Sequence, residues 1–171
     1  MIDLYRSAMI GQYEGALFTL KHCAGLCPDN LWEAPVSLHS FSECVFHPLF
    51  FGELYLGKNV AELREQAFHK EHPEIFRDYE EMEDRIPQLL YTHEMIDTYF
   101  EFVRQKVHDV LNAETPESLA EPVGFEWLDF ARAEMHPYNI RHIHHHAAQL
   151  SLKLRLETDE NPRWFRSRQS N

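Results

Sequence analysis

Apolar residues recur every three or four positions along four long stretches of the chain, which is the pattern of amphipathic helices. The first stretch covers residues 2–27 and the second covers residues 40–56. The third begins after Thr92 and reaches about Asn112, and the fourth ends near Glu157. This pattern predicts an all-α fold. We expect a four-helix bundle with a long crossover connection between its second and third helices.

Residues that cap or break helices agree with these boundaries. Pro28 ends the first helix. Ser40 and Glu43 have the spacing of a capping box at the start of the second helix. The start of the fourth helix has two interpretations: Pro137 opens it, or Pro137 kinks a longer helix that begins near Glu126.

The connection between the second and third helices spans residues 57–91 and is rich in aromatic side chains. Connections of this length in compact domains are usually lids or binding segments. We therefore expect this segment to cross one end of the bundle and to bury its aromatic residues. These residues are Phe68, Phe76 and Tyr79.

The length and composition indicate one globular domain. The 171 residues are 44% hydrophobic and include only 6 Gly, which argues against an all-β fold. We expect the bundle to occupy residues 1–157 and a C-terminal tail to occupy residues 158–171, partly held by Trp164 and Phe165. No uncharged apolar run approaches the length that spans a bilayer.

The charge balance bears on partners and compartment. With 28 acidic against 16 basic residues the net charge is −12, which disfavours binding to nucleic acid or to anionic membranes. Cys23, Cys27 and Cys44 are an odd set with no disulfide framework, which is typical of a reducing compartment. We interpret Cys23 and Cys27 as small core residues and expect a cytoplasmic protein.

Histidines interrupt the apolar pattern of the fourth helix. His142 and His146 are one helical turn apart and therefore share a face, which is a spacing that holds a divalent metal. Chance alone produces about 0.8 such pairs in a chain with this many histidines, so their position on an apolar stripe is the stronger signal. That stripe consists of Leu128, Ala131, Met135, Tyr138, His142, His145, Gln149, Leu152 and Leu156.

A third ligand has to come from another helix. His47 lies on the second helix, on the same face as Cys44, Phe51 and Leu54. A single histidine on such a face is more often a hydrogen-bonded core residue than a ligand. The pair on the fourth helix is what favours a metal site over that interpretation.

Two histidine-bearing segments resemble the DinB-like superfamily, which includes YfiT-type proteins and bacillithiol- or mycothiol-dependent enzymes. They are residues 46–56 (FHPLFFGELYL) and 139–150 (NIRHIHHHAAQL). Residues 11–17 (GQYEGAL) and 124–127 (GFEW) fit the same group. The likeness spans most of the chain, and its specific motifs are the two histidine-bearing segments.

The resemblance implies a divalent metal ion held inside the bundle by His47, His142 and His146. Pro48 and His144 depart from the commonest family pattern, although neither removes a ligand. Three imidazoles leave an open coordination position, as in catalytic sites, and suit zinc, nickel or iron. The expected activity is transfer of a low-molecular-weight thiol to a small electrophile, or metal-assisted hydrolysis.

Several roles stay open at the level of sequence. Candidate general bases are His145 on the fourth helix and His69 or His72 in the connection, although each of the latter two is more simply a solvated loop residue. Gln149 is interpreted as a group that supports His146 or satisfies the core. The alternative function is a metal-binding bundle without turnover, or a structural bundle whose histidines bond to each other and to water. The aromatic content also favours a homodimer.

Overall fold

The computed structural model describes residues 1–76, 79–83 and 88–167. These residues are mostly helical and contain no strand. Their only β contacts are isolated bridges between Pro35 and Ser40 and between Pro122 and Ala131. The predicted all-α class is therefore confirmed.

Four helices longer than 15 residues within the described ranges correspond to the four predicted stretches. In chain order the helices are α1 (Ile2–Leu26), α2 (Asp29–Trp32), α3 (Phe41–Leu56), α4 (Val60–Glu65), α5 (Ala67–Glu71), α6 (Pro73–Phe76), the 3-10 helix Glu80–Met82, α7 (His93–Ala113), α8 (Pro116–Ala120) and α9 (Arg132–Glu157). Of the four long helices, α1 contacts both α7 and α9, and α3 contacts the same two.

The residues predicted to cap the beginnings of the second and third long helices do so. At the beginning of α3 the Glu43 backbone N–H donates to Ser40 Oγ at 3.2 Å, and the Ser40 N–H donates to Glu43 Oε2 at 2.6 Å. Thr92 caps α7 as predicted. Helix α9 begins at Arg132, between the two predicted starts, and continues through Pro137.

The stripe of α9 residues predicted to face the core is wrong in the C-terminal half of the helix, where its members are exposed. Leu152 is 58% exposed and Leu156 is 75% exposed. This helix carries apolar residues on two faces, and hydrophobicity alone does not say which face meets the core. The buried residues are Met135, His136, Asn139, Ile143, Ala147, Leu150 and Leu154.

Helices α3 and α9 pack closely because α3 has a glycine at their contact. A Cβ atom added to Gly52 would lie 3.4 Å from Ile143 Cδ1. The side-chain amide of Asn139 donates to the Gly52 carbonyl at 2.8 Å, and both residues are buried. This contact holds α3 against α9 near the positions of His47 on α3 and His142 on α9.

The connection after α3 packs against the core through part of its length. Leu63, Ile75 and Phe76 are buried, and Phe68 and Tyr79 are half-buried against the core. His69 is only 3% exposed, so the interpretation of this residue as a solvated loop histidine is wrong. Its burial is explained by a charged partner on α3, which is described below.

The chain after α9 returns to α1. Phe165 is 7% exposed, and its backbone N–H donates to Thr19 Oγ1 at 3.1 Å. Trp164 is 62% exposed, so of the two aromatic residues expected to hold the tail only Phe165 is buried. Within the described ranges, no helix has both the length and the apolar character that a bilayer crossing requires.

Candidate metal centre

The three predicted ligands converge where α3 meets α9. The imidazole ring centroid of His47 lies 5.3 Å from that of His142 and 4.6 Å from that of His146. The centroids of His142 and His146 are 4.8 Å apart. One ring nitrogen from each residue lies within 4.8 Å of the other two. The three side chains are half-buried and sit at the edge of the core, closer to solvent than the sequence pattern predicted.

His47 is oriented by a carboxylate from the connection. Its Nδ1 is 2.8 Å from Glu81 Oε2, and the Glu81 side chain is only 6% exposed. A carboxylate bonded to one ring nitrogen fixes the tautomer and the direction of the other nitrogen, as is usual for histidines that bind metal. Nε2 of His47 is therefore the nitrogen available to a ligand.

The two histidines of α9 are held in the neutral form. Burial, together with His47 and His145 nearby, lowers the pKa of His142 to about 4. Burial and the neighbouring His47, His142 and His145 lower the pKa of His146 to about 3. A neutral imidazole has a lone pair to donate, so at neutral pH these residues are ready to bind a cation.

One of these nitrogens lacks any other partner. Nδ1 of His142 is buried and has no hydrogen bond among the described residues. An unpaired buried nitrogen costs free energy of about 1–3 kcal/mol, and a bound ion or water removes that cost. This atom is a group that an ion bound by the three histidines would satisfy.

The donor set fits a transition-metal ion. Imidazole nitrogens suit zinc, nickel, iron and copper, whereas magnesium and calcium prefer oxygen ligands. Two nitrogens bound to one ion at 2.0–2.1 Å lie at most about 4.2 Å apart, which is of the same order as the 4.8 Å within which the three ligand atoms lie. Among the described residues no cysteine or carboxylate joins the three histidines as a ligand.

Aromatic residues line one side of the site, and a small pocket lies beside His142. The ring of Phe51 lies 4.8 Å from that of His47, and the ring of Tyr55 lies 6.3 Å from that of His142. The pocket has a volume of about 230 Å³. Its lining residues are Tyr138, Arg141, His142 and His145.

The candidate general bases differ in position. His145 is exposed and lines the pocket, with its Nε2 3.1 Å from Gln149 Nε2. Gln149 is exposed, so it does not satisfy the core. His69 lies in another part of the molecule, where its Nε2 is 2.8 Å from Glu53 Oε2. His72 is paired with Glu74 at 3.1 Å.

Other residues singled out in the sequence lie outside the site. His144 is half-buried, and its ring centroid is 6.4 Å from that of Trp164. Cys23 and Cys27 are buried, as expected of core residues. Burial raises the pKa of Cys23 to about 11 and that of Cys27 to about 12, so neither is a thiolate at neutral pH. Cys44 is half-buried, and burial with Glu43 nearby raises its pKa to about 11.

Sequence reasoning missed Glu81. It sits among other acidic residues in the connection, and nothing in that run distinguishes it from its neighbours. Its role depends on how the connection folds back onto α3. The spacing of residues along one helix does not predict a contact between that helix and a distant segment.

Comparison with known proteins identifies no relative. No family model, no curated protein and no solved structure matches the chain.

Proposed function

We propose that this chain is a divalent-metal-binding protein of the DinB-like type, with His47, His142 and His146 as the ligands. In this proposal α1, α3, α7 and α9 form a four-helix bundle, and the connection from α3 to α7 crosses its end. The observation that carries the proposal is the approach of three imidazoles from two helices to within 4.8 Å of one another.

The proposed activity is transfer of a low-molecular-weight thiol to a small electrophile, or hydrolysis of such a molecule. When bound, the ion supplies a Lewis acid that lowers the pKa of a coordinated thiol or water. Glu81 holds the ring of His47, and Phe51 and Tyr55 keep water from the walls of the site. The pocket beside His142 admits the substrate.

The open side of the site favours catalysis over a purely structural role. Structural zinc sites are usually closed by four protein ligands, whereas catalytic sites keep a position for substrate. Here three ligands meet without a fourth among the described residues. A metal-binding bundle without turnover remains the second candidate, because no described side chain is clearly placed as a general base.

A thiol-transfer screen tests the proposed activity. Protein loaded with zinc, nickel or iron is mixed with small thiols and electrophiles, and loss of the electrophile is followed by chromatography. We expect turnover in the wild type and in His144→Ala, because His144 lies outside the site. We expect none in His142→Ala, which lacks a ligand.

The outcomes separate the candidates. Turnover that survives His142→Ala would place the activity elsewhere in the molecule. Ion binding without turnover for any thiol, and without hydrolysis in the absence of thiol, would support the non-catalytic alternative. Binding of neither ion nor substrate would leave a structural bundle.

A further inference from the structure

Arg141 stands beside the candidate metal centre without a charged partner. It is exposed on α9, one residue before His142. Its guanidinium carbon lies 5.4 Å from the centroid of the Tyr138 ring. No hydrogen bond or ion pair joins Arg141 to another described residue, although the chain has 28 acidic residues against 16 basic ones. The guanidinium is therefore free to bind a ligand.

The same pocket contains Arg141 and a metal ligand. Arg141, Tyr138, His145 and His142 line the cavity of about 230 Å³, which is smaller than most drug-sized ligand sites. A molecule in this cavity contacts both the guanidinium and the ion-binding imidazole. The cation–π contact with Tyr138 does not use the N–H groups of the guanidinium, which stay available for hydrogen bonds.

The charges of the site favour an anion. Three neutral imidazoles leave a divalent ion with its full charge, and Glu81 offsets only part of it through His47. Arg141 adds a further positive charge at the mouth of the pocket. A guanidinium donates two parallel N–H bonds to a planar carboxylate, a geometry that a neutral or cationic group cannot match.

We propose that the substrate of this site carries a carboxylate, which Arg141 binds in the pocket between Tyr138 and His145 while the rest of the molecule faces the metal centre. This inference rests on the proposed metal-binding function. It assigns substrate recognition to a residue outside the three ligands.

The test uses cobalt(II), whose visible spectrum reports on its ligands. Cobalt affinity is first measured for the wild type, for Arg141→Gln and for Arg163→Gln. Arg163 is a matched control, because it is also exposed and also lies over a ring, with its guanidinium carbon 5.0 Å from the Phe165 centroid. Acetate is then titrated at constant ionic strength. Calorimetry measures its binding, and the cobalt spectrum shows whether it enters the coordination sphere of the ion instead.

We expect the three proteins to bind cobalt equally. Arg141→Gln should bind acetate about tenfold or more weakly than the other two, as loss of a charged hydrogen-bond pair implies. Arg141→Lys keeps the positive charge but lacks the two parallel N–H donors of a guanidinium. Its affinity for acetate should lie between those of the wild type and Arg141→Gln.

The alternative outcomes are distinct. Failure of the wild type to bind cobalt would overturn the proposed function itself. Equal acetate affinity in the wild type and Arg141→Gln, with cobalt bound to both, would overturn only the role of Arg141. Inorganic phosphate that binds more tightly than acetate, and depends equally on Arg141, would overturn the assignment of a carboxylate.

Discussion

Helix α3 contributes one residue to a histidine–carboxylate pair on each of two sides, and the two pairs are built differently. Toward α7, His69 meets Glu53, and the side chains are 1% and 0% exposed. Toward α9, His47 meets Glu81, and the side chains are 34% and 6% exposed. The first pair is sealed in the core, whereas the second lies at an edge that opens to solvent.

The partners around each pair differ as well. Both oxygens of Glu53 are bonded: Oε2 accepts from Tyr99 at 2.6 Å and pairs with His69, and Oε1 accepts from Lys106 at 2.9 Å. This set of Glu53, His69, Tyr99 and Lys106 is termed the Glu53 network. Each of its four side chains has a hydrogen-bonding or ionic partner within the protein. It ties the connection and α7 to α3.

The α9 side leaves one histidine nitrogen without a protein partner in the described part of the chain. His142 Nδ1 is buried and unbonded among the described residues, and the three rings approach one another without a hydrogen bond between them. Buried polar groups in folded proteins are usually satisfied, and a bound ion or water would satisfy this one. The His69 pair is therefore evidence for structure, whereas three converging imidazoles with one unpaired nitrogen are evidence for a site.

The largest effect is expected from Glu53→Gln. Burial opposes ionisation of Glu53, but hydrogen bonds from His69 and Tyr99 and the charge of Lys106 outweigh it and lower its pKa. Removing the charge leaves Lys106 without its buried counterion. We expect the free energy of unfolding, measured in urea, to fall by about 3–5 kcal/mol.

A matched variant sharpens this result. Glu65 pairs with Lys70 at 2.6 Å on the surface, so Glu65→Gln should leave the free energy of unfolding nearly unchanged. Neither variant should alter metal affinity, because neither contacts the three histidines. A loss below about 1 kcal/mol for Glu53→Gln would contradict the structural role of the Glu53 network.

Lowering the pH is expected to reduce the free energy of unfolding of the metal-free protein by a smaller amount. The folded-state pKa values of His142 and His146, about 4 and about 3, lie below the ordinary value of 6.5. The unfolded chain therefore takes up protons first as pH falls. The contribution to stability is fully present above about pH 6.5 and is lost as pH drops toward the folded values.

Together the two pKa shifts correspond to about 5 kcal/mol between pH 7 and pH 4.5, and solvent screening of these half-buried side chains reduces the expected loss to on the order of 2 kcal/mol. Urea unfolding of the wild type and of the double variant His142→Gln/His146→Gln measures it, and the variant should show a shallower pH dependence. Glu53, whose pKa is lowered from 4.5, should lose its contribution only below that pH. Equal slopes for the two proteins between pH 7 and pH 4.5 would contradict the account.

The smallest effect is expected from Glu81→Gln. Glutamine keeps a hydrogen-bond acceptor for His47 but removes the charge that makes the imidazole a stronger ligand. We expect zinc affinity, measured by competition with a chelator, to fall about tenfold, or about 1.4 kcal/mol. Glu74→Gln is the control, since Glu74 pairs with His72 away from the site. An affinity equal to that of the control would remove Glu81 from the site.

Local signals predicted the helices well. The Ser40 capping box and the Thr92 cap depend on residues a few positions apart, so the sequence contains all of the information. The core face of α9 was harder to predict. Leu152 and Leu156 are as apolar as Leu150 and Leu154, and only packing decides which pair is buried.

The candidate site was predictable in part for the same reason. His142 and His146 share a helix face by their spacing, and family resemblance added His47. The partners Glu81 and Glu53 were not predictable, because they meet His47 and His69 only when the connection folds onto α3. Those contacts join residues 34 and 16 positions apart. The periodicity of residues along a helix does not predict such contacts.

A metal titration of tag-free protein, purified without a metal-affinity step, tests the central claim most directly. Zinc or cobalt is added to the metal-free wild type, to His142→Ala and to His144→Ala, and stoichiometry and affinity are measured by calorimetry. The account predicts one ion per chain for the wild type and for His144→Ala, and at least about 100-fold weaker binding for His142→Ala. No tight binding to the wild type, or an equal loss in His144→Ala, would contradict it.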